Sequence, residues 1–161
     1  MRLLIIEDGQ HHQHYRDSAE KFFAEHGVEV TFLKNLKSFL EMFEGSWDSE
    51  SRSVVVPSFR YDGVLSDIFF PHDEKYFPEL VPAGVAVFFI CQSKGIPCLL
   101  VTAGFHHRQE YQWIHEITMT MKLPKMISVY DETTKYGKVD APEKEWESAF
   151  QSMVNIIEKR K

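Results

Sequence analysis

The chain has 161 residues, 43% hydrophobic and 26% charged, which is enough for one core, short for two, and too apolar for a disordered chain. Its formal net charge of −6 repels phosphate backbones, so nucleic acid is not an expected partner. Two cysteines, Cys91 and Cys98, lie in apolar runs and form no disulfide framework, no apolar run approaches the length of a membrane span, and a reduced, cytoplasmic setting is expected.

Leu3 to Ile6 is a wholly apolar run, as expected of a strand buried on both faces, and it stops at Glu7-Asp8-Gly9. The run is too short for a signal peptide. A helix fits from about Gln10 to His26, with Tyr15, Ala19, Phe22 and Phe23 on one face and Gly27 as its stop. Val28, Val30 and Phe32 alternate as a second strand. Asn35 caps a helix whose apolar face is Leu36, Phe39, Leu40 and Phe43. The polar residues 46–53 read as a loop, and Val54 to Val56 as a small extra strand or part of that loop.

Val64 and Leu65 lead a third strand into Ser66-Asp67-Ile68, and residues 71–81 read as a long loop bearing His72, Asp73 and Glu74. Pro82 opens a helix running to about Lys94, with Gly95 beyond it. Seven apolar residues in succession, Val85 to Cys91, cover every face of this helix at 3.6 residues per turn. The expectation is a homodimer through the 82–94 helix, or else cover from the 71–81 loop. Pro97 to Thr102 is a fourth strand, followed by a helix from about His106 to Lys122 with Ile114, Ile117 and Met121 inward. Met126 to Tyr130 forms a fifth strand. A last helix starts near Pro142, behind Asp140 as its cap, with Trp146, Ala149, Phe150, Met153 and Ile157 as its apolar face. Lys159, Arg160 and Lys161 read as its solvated end.

Strands alternating with helices predict a single α/β domain over residues 1–161, with a doubly wound five-stranded parallel sheet in the order 2-1-3-4-5. Neither a glycine-rich dinucleotide fingerprint nor a P-loop is present. In such a sheet, ligands bind beyond the carboxyl ends of the strands. There the first strand supplies Glu7 and Asp8, the third Asp67 and the fourth Thr102. Three converging carboxylates repel one another, and a hard divalent cation such as Mg2+ relieves the repulsion. His11, His12 and His14 lie near the acidic pair and His106 and His107 beyond the fourth strand, but their spacing matches no zinc motif.

Three segments together resemble the response-regulator receiver (CheY-like) family: Leu3-Leu4-Ile5-Ile6-Glu7-Asp8, Tyr61 to Pro71 with its Asp67-Ile68-x-x-Pro71 piece, and Ile96 to Ala103. The resemblance covers residues 1–130 and implies a flavodoxin-like fold with Asp67 as phosphoacceptor. It further implies Asp8 as a direct Mg2+ ligand and Glu7 as an acidic companion acting through water. The backbone carbonyl of Phe69 would be another ligand, and Thr102 the switch hydroxyl. A histidine kinase or a downstream effector would be the protein partner. The family's lysine-proline after the fifth strand is absent: Lys125 stands at the strand's entering end, and Lys135 and Lys138 lie in the next loop. The resemblance makes a phosphoacceptor signalling domain the first expectation and an enzyme the lesser one. A phosphorylation-independent pseudo-receiver, and a small Mg2+-dependent hydrolase or phosphotransfer enzyme using the same cleft, are the two other readings.

Overall fold

Successive residues of the first strand face two different cores. Leu3 and Ile5 pack with Tyr15, Ala19, Phe23, Trp146, Ala149 and Met153, whereas Leu4 and Ile6 pack with Phe39, Val87, Phe88 and Ile114. A strand with helices on both faces must be apolar throughout, and the four residues are at most 1% exposed. The computed structural model describes residues 1–8, 13–44, 46–48, 50, 52–55, 58–104, 109–128 and 143–160.

The chain runs β1 (Arg2–Ile6), α1 (Gln13–Glu25), β2 (Glu29–Leu33), α2 (Leu36–Glu41), β3 (Ser46–Asp48), β4 (Ser53–Val55) and β5 (Gly63–Ser66). It continues through β6 (Phe70–Asp73), β7 (Phe77–Val81), α3 (Ala83–Ser93), β8 (Cys98–Thr102), α4 (Gln109–Thr120), β9 (Ile127–Ser128) and α5 (Trp146–Glu158). One five-stranded sheet has the order β2-β1-β5-β8-β9, and every pair in it is parallel. Helices α1 and α5 contribute to the core containing Leu3 and Ile5, and α2, α3 and α4 to the core containing Leu4 and Ile6.

The sequence reading numbers the sheet strands 2-1-3-4-5. Here the described strands number nine, because two antiparallel ribbons, β3-β4 and β6-β7, interrupt the alternation. Residues 71–81 are therefore a hairpin rather than a loop, and much of 46–53 is strand. In β6-β7, Asp73 makes the turn: its carboxylate accepts the backbone N–H groups of Lys75 and Tyr76 at 2.8 and 3.2 Å. Local capping matches its sequence signals elsewhere. Asn35 accepts the Ser38 N–H at 2.8 Å, and Gly27 and Gly95 take φ of +65° and +67° where α1 and α3 end.

The all-apolar run of α3 is mostly consumed by the core. Val87, Phe88 and Cys91 are buried, Val85 and Ile90 half-buried, and only Ala86 and Phe89 face outward. Met121 does not point inward, because α4 ends at Thr120 and leaves it 55% exposed. Cys91 and Cys98 are both buried free thiols. Among the described residues, no helix is long and apolar enough to cross a membrane.

Candidate functional site

The register of the sheet brings two acids to the same level. Ile6 pairs with Ser66, so Glu7 and Asp67 each stand one residue past the end of adjacent strands. The backbone holds both: the Asp67 N–H donates to the Ile6 carbonyl at 2.9 Å and the Glu7 N–H to the Leu33 carbonyl at 3.0 Å. Side chains alternate along a strand, so Glu7 keeps the parity of Leu3 and Ile5, and Asp67 that of Leu65. Those three apolar residues face the core formed with α1 and α5.

From the segment just before α5 comes Lys144. Its ammonium donates to Glu7 Oε2 at 2.5 Å, pairs with Asp67 Oδ1 at 2.9 Å and lies 3.4 Å from the Val101 carbonyl. The Lys144 and Glu7 side chains are 1% and 0% exposed, while that of Asp67 keeps 12%. Asp67 thus has the accessible end of a network whose other members are sealed. An ammonium in that position attracts both carboxylates, and a buried ion pair persists only with such hydrogen bonding.

Glu7 and Asp67 share the one Lys144 ammonium, and the charge of Asp8 also acts on Glu7. Burial pushes the Glu7 carboxyl up to about 8; the neighbouring charges of Asp67 and Asp8 act the same way, and Lys144 opposes them. Burial also disfavours the Lys144 charge, but Asp67 and then Glu7 outweigh it and hold the ammonium above the ordinary lysine range.

A lysine therefore stands against Asp67, but it is none of the three, Lys125, Lys135 and Lys138, that the sequence singles out. Lys125 is exposed before β9, and Lys135 and Lys138 lie outside the described residues. Lys144 sits after residues 129–142, two positions ahead of Trp146. Its signal in the sequence is that helix's apolar face: a lysine beside Trp146 belongs to the element that covers the parity of Glu7 and Asp67.

Thr102 ends β8 and is buried; its hydroxyl oxygen accepts the Gly104 N–H at 3.0 Å, a turn-forming bond. Tyr111 links that turn to the acid loop. A side chain at Gly104 would lie 2.3 Å from the Tyr111 ring, and the ring meets Phe69 edge-on at 5.6 Å. Gly84 fixes the acid loop from α3: its N–H donates to the Ile68 carbonyl at 3.0 Å, and a Cβ there would lie 1.9 Å from the Asp67 carbonyl oxygen. Asp73 is not part of the pocket, because its carboxylate pairs with Lys37 at 2.9 Å. His14 is exposed, with its ring 4.0 Å from that of Tyr15; His11, His12, His106 and His107 lie outside the described residues.

Among the described residues, no cluster of three or more His, Cys, Asp or Glu side chains stands in a metal-holding arrangement. Two of the carboxylates assigned to a cation are turned on Lys144 instead. The donor set still suits a hard divalent ion: it is all oxygen, its charge exceeds that of the ammonium, and the buried Glu7 Oε1 has no hydrogen-bond partner among the described residues. No protein-family model matches the chain, and no curated protein matches it.

Proposed function

We propose that the chain is a receiver-like signalling domain with a flavodoxin-like fold, in which Asp67 accepts a phosphoryl group and the change is read by a protein partner. The observation that carries this reading is the Lys144 ammonium on Asp67 Oδ1 at 2.9 Å, beside two further carboxylates at the strands' carboxyl ends. An Asp67 oxygen attacks the phosphorus of the donor, an acyl-phosphate bond forms, and the donor's bond to phosphorus breaks. Lys144 already stands against the carboxylate and balances the charge that the phosphoryl oxygens bring. Mg2+ would be held by Asp8, Asp67 and the Phe69 carbonyl, with Glu7 acting through water, and would neutralise the phosphoryl charge when bound. Thr102 supplies the switch hydroxyl, and a histidine kinase or an effector is the partner.

Incubation with acetyl phosphate and Mg2+, followed by intact mass, tests the reading. The wild type should gain the mass of one phosphoryl group and Asp67→Asn none. Gain in both, or in neither, overturns it. The second case would favour a phosphorylation-independent pseudo-receiver, which the direct Lys144 contacts to Glu7 and Asp67 make the next reading. Continuous phosphate release without an adduct would instead mark a Mg2+-dependent hydrolase.

A further inference from the structure

A lysine on a strand is aimed by its backbone; Lys144 is not. It stands outside regular secondary structure, just before α5, on a stem with four rotatable carbons. Its aim has to come from what surrounds the side chain. Its Nζ lies 5.1 Å from the centre of the Tyr15 ring and 6.0 Å from that of Trp146, within range of the attraction between a cation and an aromatic face. Trp146 is itself fixed. Its indole N–H donates to Ser18 Oγ at 2.9 Å, and the Ser18 hydroxyl donates to the Tyr15 carbonyl at 3.0 Å. Its ring meets Phe23 edge-on at 6.0 Å, and its backbone N–H donates to the Lys144 carbonyl at 2.9 Å. Helix α1 and the start of α5 are thereby bonded to each other behind the ammonium.

We infer that Ser18 and Trp146 are positioning residues: their hydrogen bond closes an aromatic clamp, completed by Tyr15, that holds the Lys144 ammonium on Asp67. The inference rests on the reading of Asp67 as the phosphoacceptor. Neither residue touches the reacting carboxylate; both act through Lys144. The ring of Trp146 supplies one wall, and the indole N–H fixes that wall to α1. Loss of the bond frees the wall, and the ammonium then samples positions away from Oδ1.

The test uses Ser18→Ala and Trp146→Phe, which remove the bond and keep an aromatic ring at 146, with Ser18→Thr as the conservative rescue. Two quantities are read: the rate of Asp67 phosphorylation by acetyl phosphate, and the nitrogen NMR signal of the buried Lys144 ammonium. Losing one neutral hydrogen bond corresponds to a drop of about fivefold in rate. Each single variant should show it with a shifted ammonium signal, the double variant should be no worse than the singles, and Ser18→Thr should restore both. Phe150→Leu, a packing change on the same helix, should leave the ammonium signal in place. An unshifted signal in Ser18→Ala and Trp146→Phe overturns the clamp, as does a signal equally shifted by Phe150→Leu. If the wild type takes no phosphoryl group, the phosphoacceptor reading fails, and the ammonium signal alone decides whether the clamp exists.

Discussion

Lys144 and Glu7 stand 137 positions apart in the chain and 2.5 Å apart in the folded protein. The contact joins the entry of the last helix to the exit of the first strand, so α5 cannot leave the sheet without taking the ammonium away from Glu7 and Asp67. Removing one partner of a buried pair costs about 3–5 kcal/mol, mostly from the charge left behind. Lys144→Met should lose about that much stability in urea denaturation. The double variant Lys144→Met with Asp67→Asn should recover part of it, because Asn carries no charge to strand. Equal stability of the single and double variants would show that Asp67 is not the orphaned charge.

The Glu7 carboxyl also makes stability depend on pH, with a definite sign. Its folded pKa is raised from 4.5 to about 8, so between those values the folded state holds a proton that the unfolded state has released. Stability from this group is full below the lower value and is lost as pH rises through the window, at up to about 1.4 kcal/mol per pH unit. Thermal melts from pH 5 to pH 8 should show a decline that flattens in Glu7→Gln. Asp73 acts in the opposite sense. The Lys37 hydrogen bond and the Lys75 N–H hold its carboxyl below the usual range, so its contribution is lost in acid.

Gly84 is expected to be intolerant for a reason unconnected with its backbone angles. A Cβ there would sit 1.9 Å from the Asp67 carbonyl oxygen and 2.9 Å from the Ile68 Cα, both backbone atoms that cannot swing aside. Gly84→Ala must push α3 away from the acid loop, at about 1–3 kcal/mol. Gly95→Ala meets open space and only the strain of a positive φ, at about 1–2 kcal/mol. Chemical denaturation separates the energies. Only the first substitution should also slow the proposed phosphorylation of Asp67.

The parallel sheet and its carboxyl-end acids are legible because they rest on local pattern. Leu3 to Ile6 is apolar on both parities and ends in Glu7-Asp8; Gly63 to Ser66 ends in Asp67. The α5 face is legible too, with Trp146, Ala149 and Met153 at helical spacing and buried. The β6-β7 hairpin is not: Phe77 to Val81 is exposed at every position, so it lacks the alternation of a half-buried strand. Lys144 is hidden for a different reason. Its role follows from which face α5 covers, a tertiary fact, and the receiver pattern directs attention to the end of β9 instead.

The homodimer expected from α3 has less surface to work with than its seven consecutive apolar residues suggest, because Val87, Phe88 and Cys91 face the core. What remains outward is Ala86 and Phe89, the latter 37% exposed, with Trp113 of α4 at 40%. Val85, Phe88, Phe89 and Trp113 line one shallow crevice, so these two exposed rings belong to the same α3–α4 surface. If copies of the chain associate through α3, they meet there, about a two-fold axis that places like residues close together. Sedimentation at micromolar concentration should then show a dimer in the wild type. Phe89→Glu would set two carboxylates against each other and give a monomer that remains folded, since Phe89 is part-exposed and not a member of the core. A wild-type monomer, or a Phe89→Glu dimer, removes α3 as the interface and leaves Phe89 and Trp113 as separate exposed side chains.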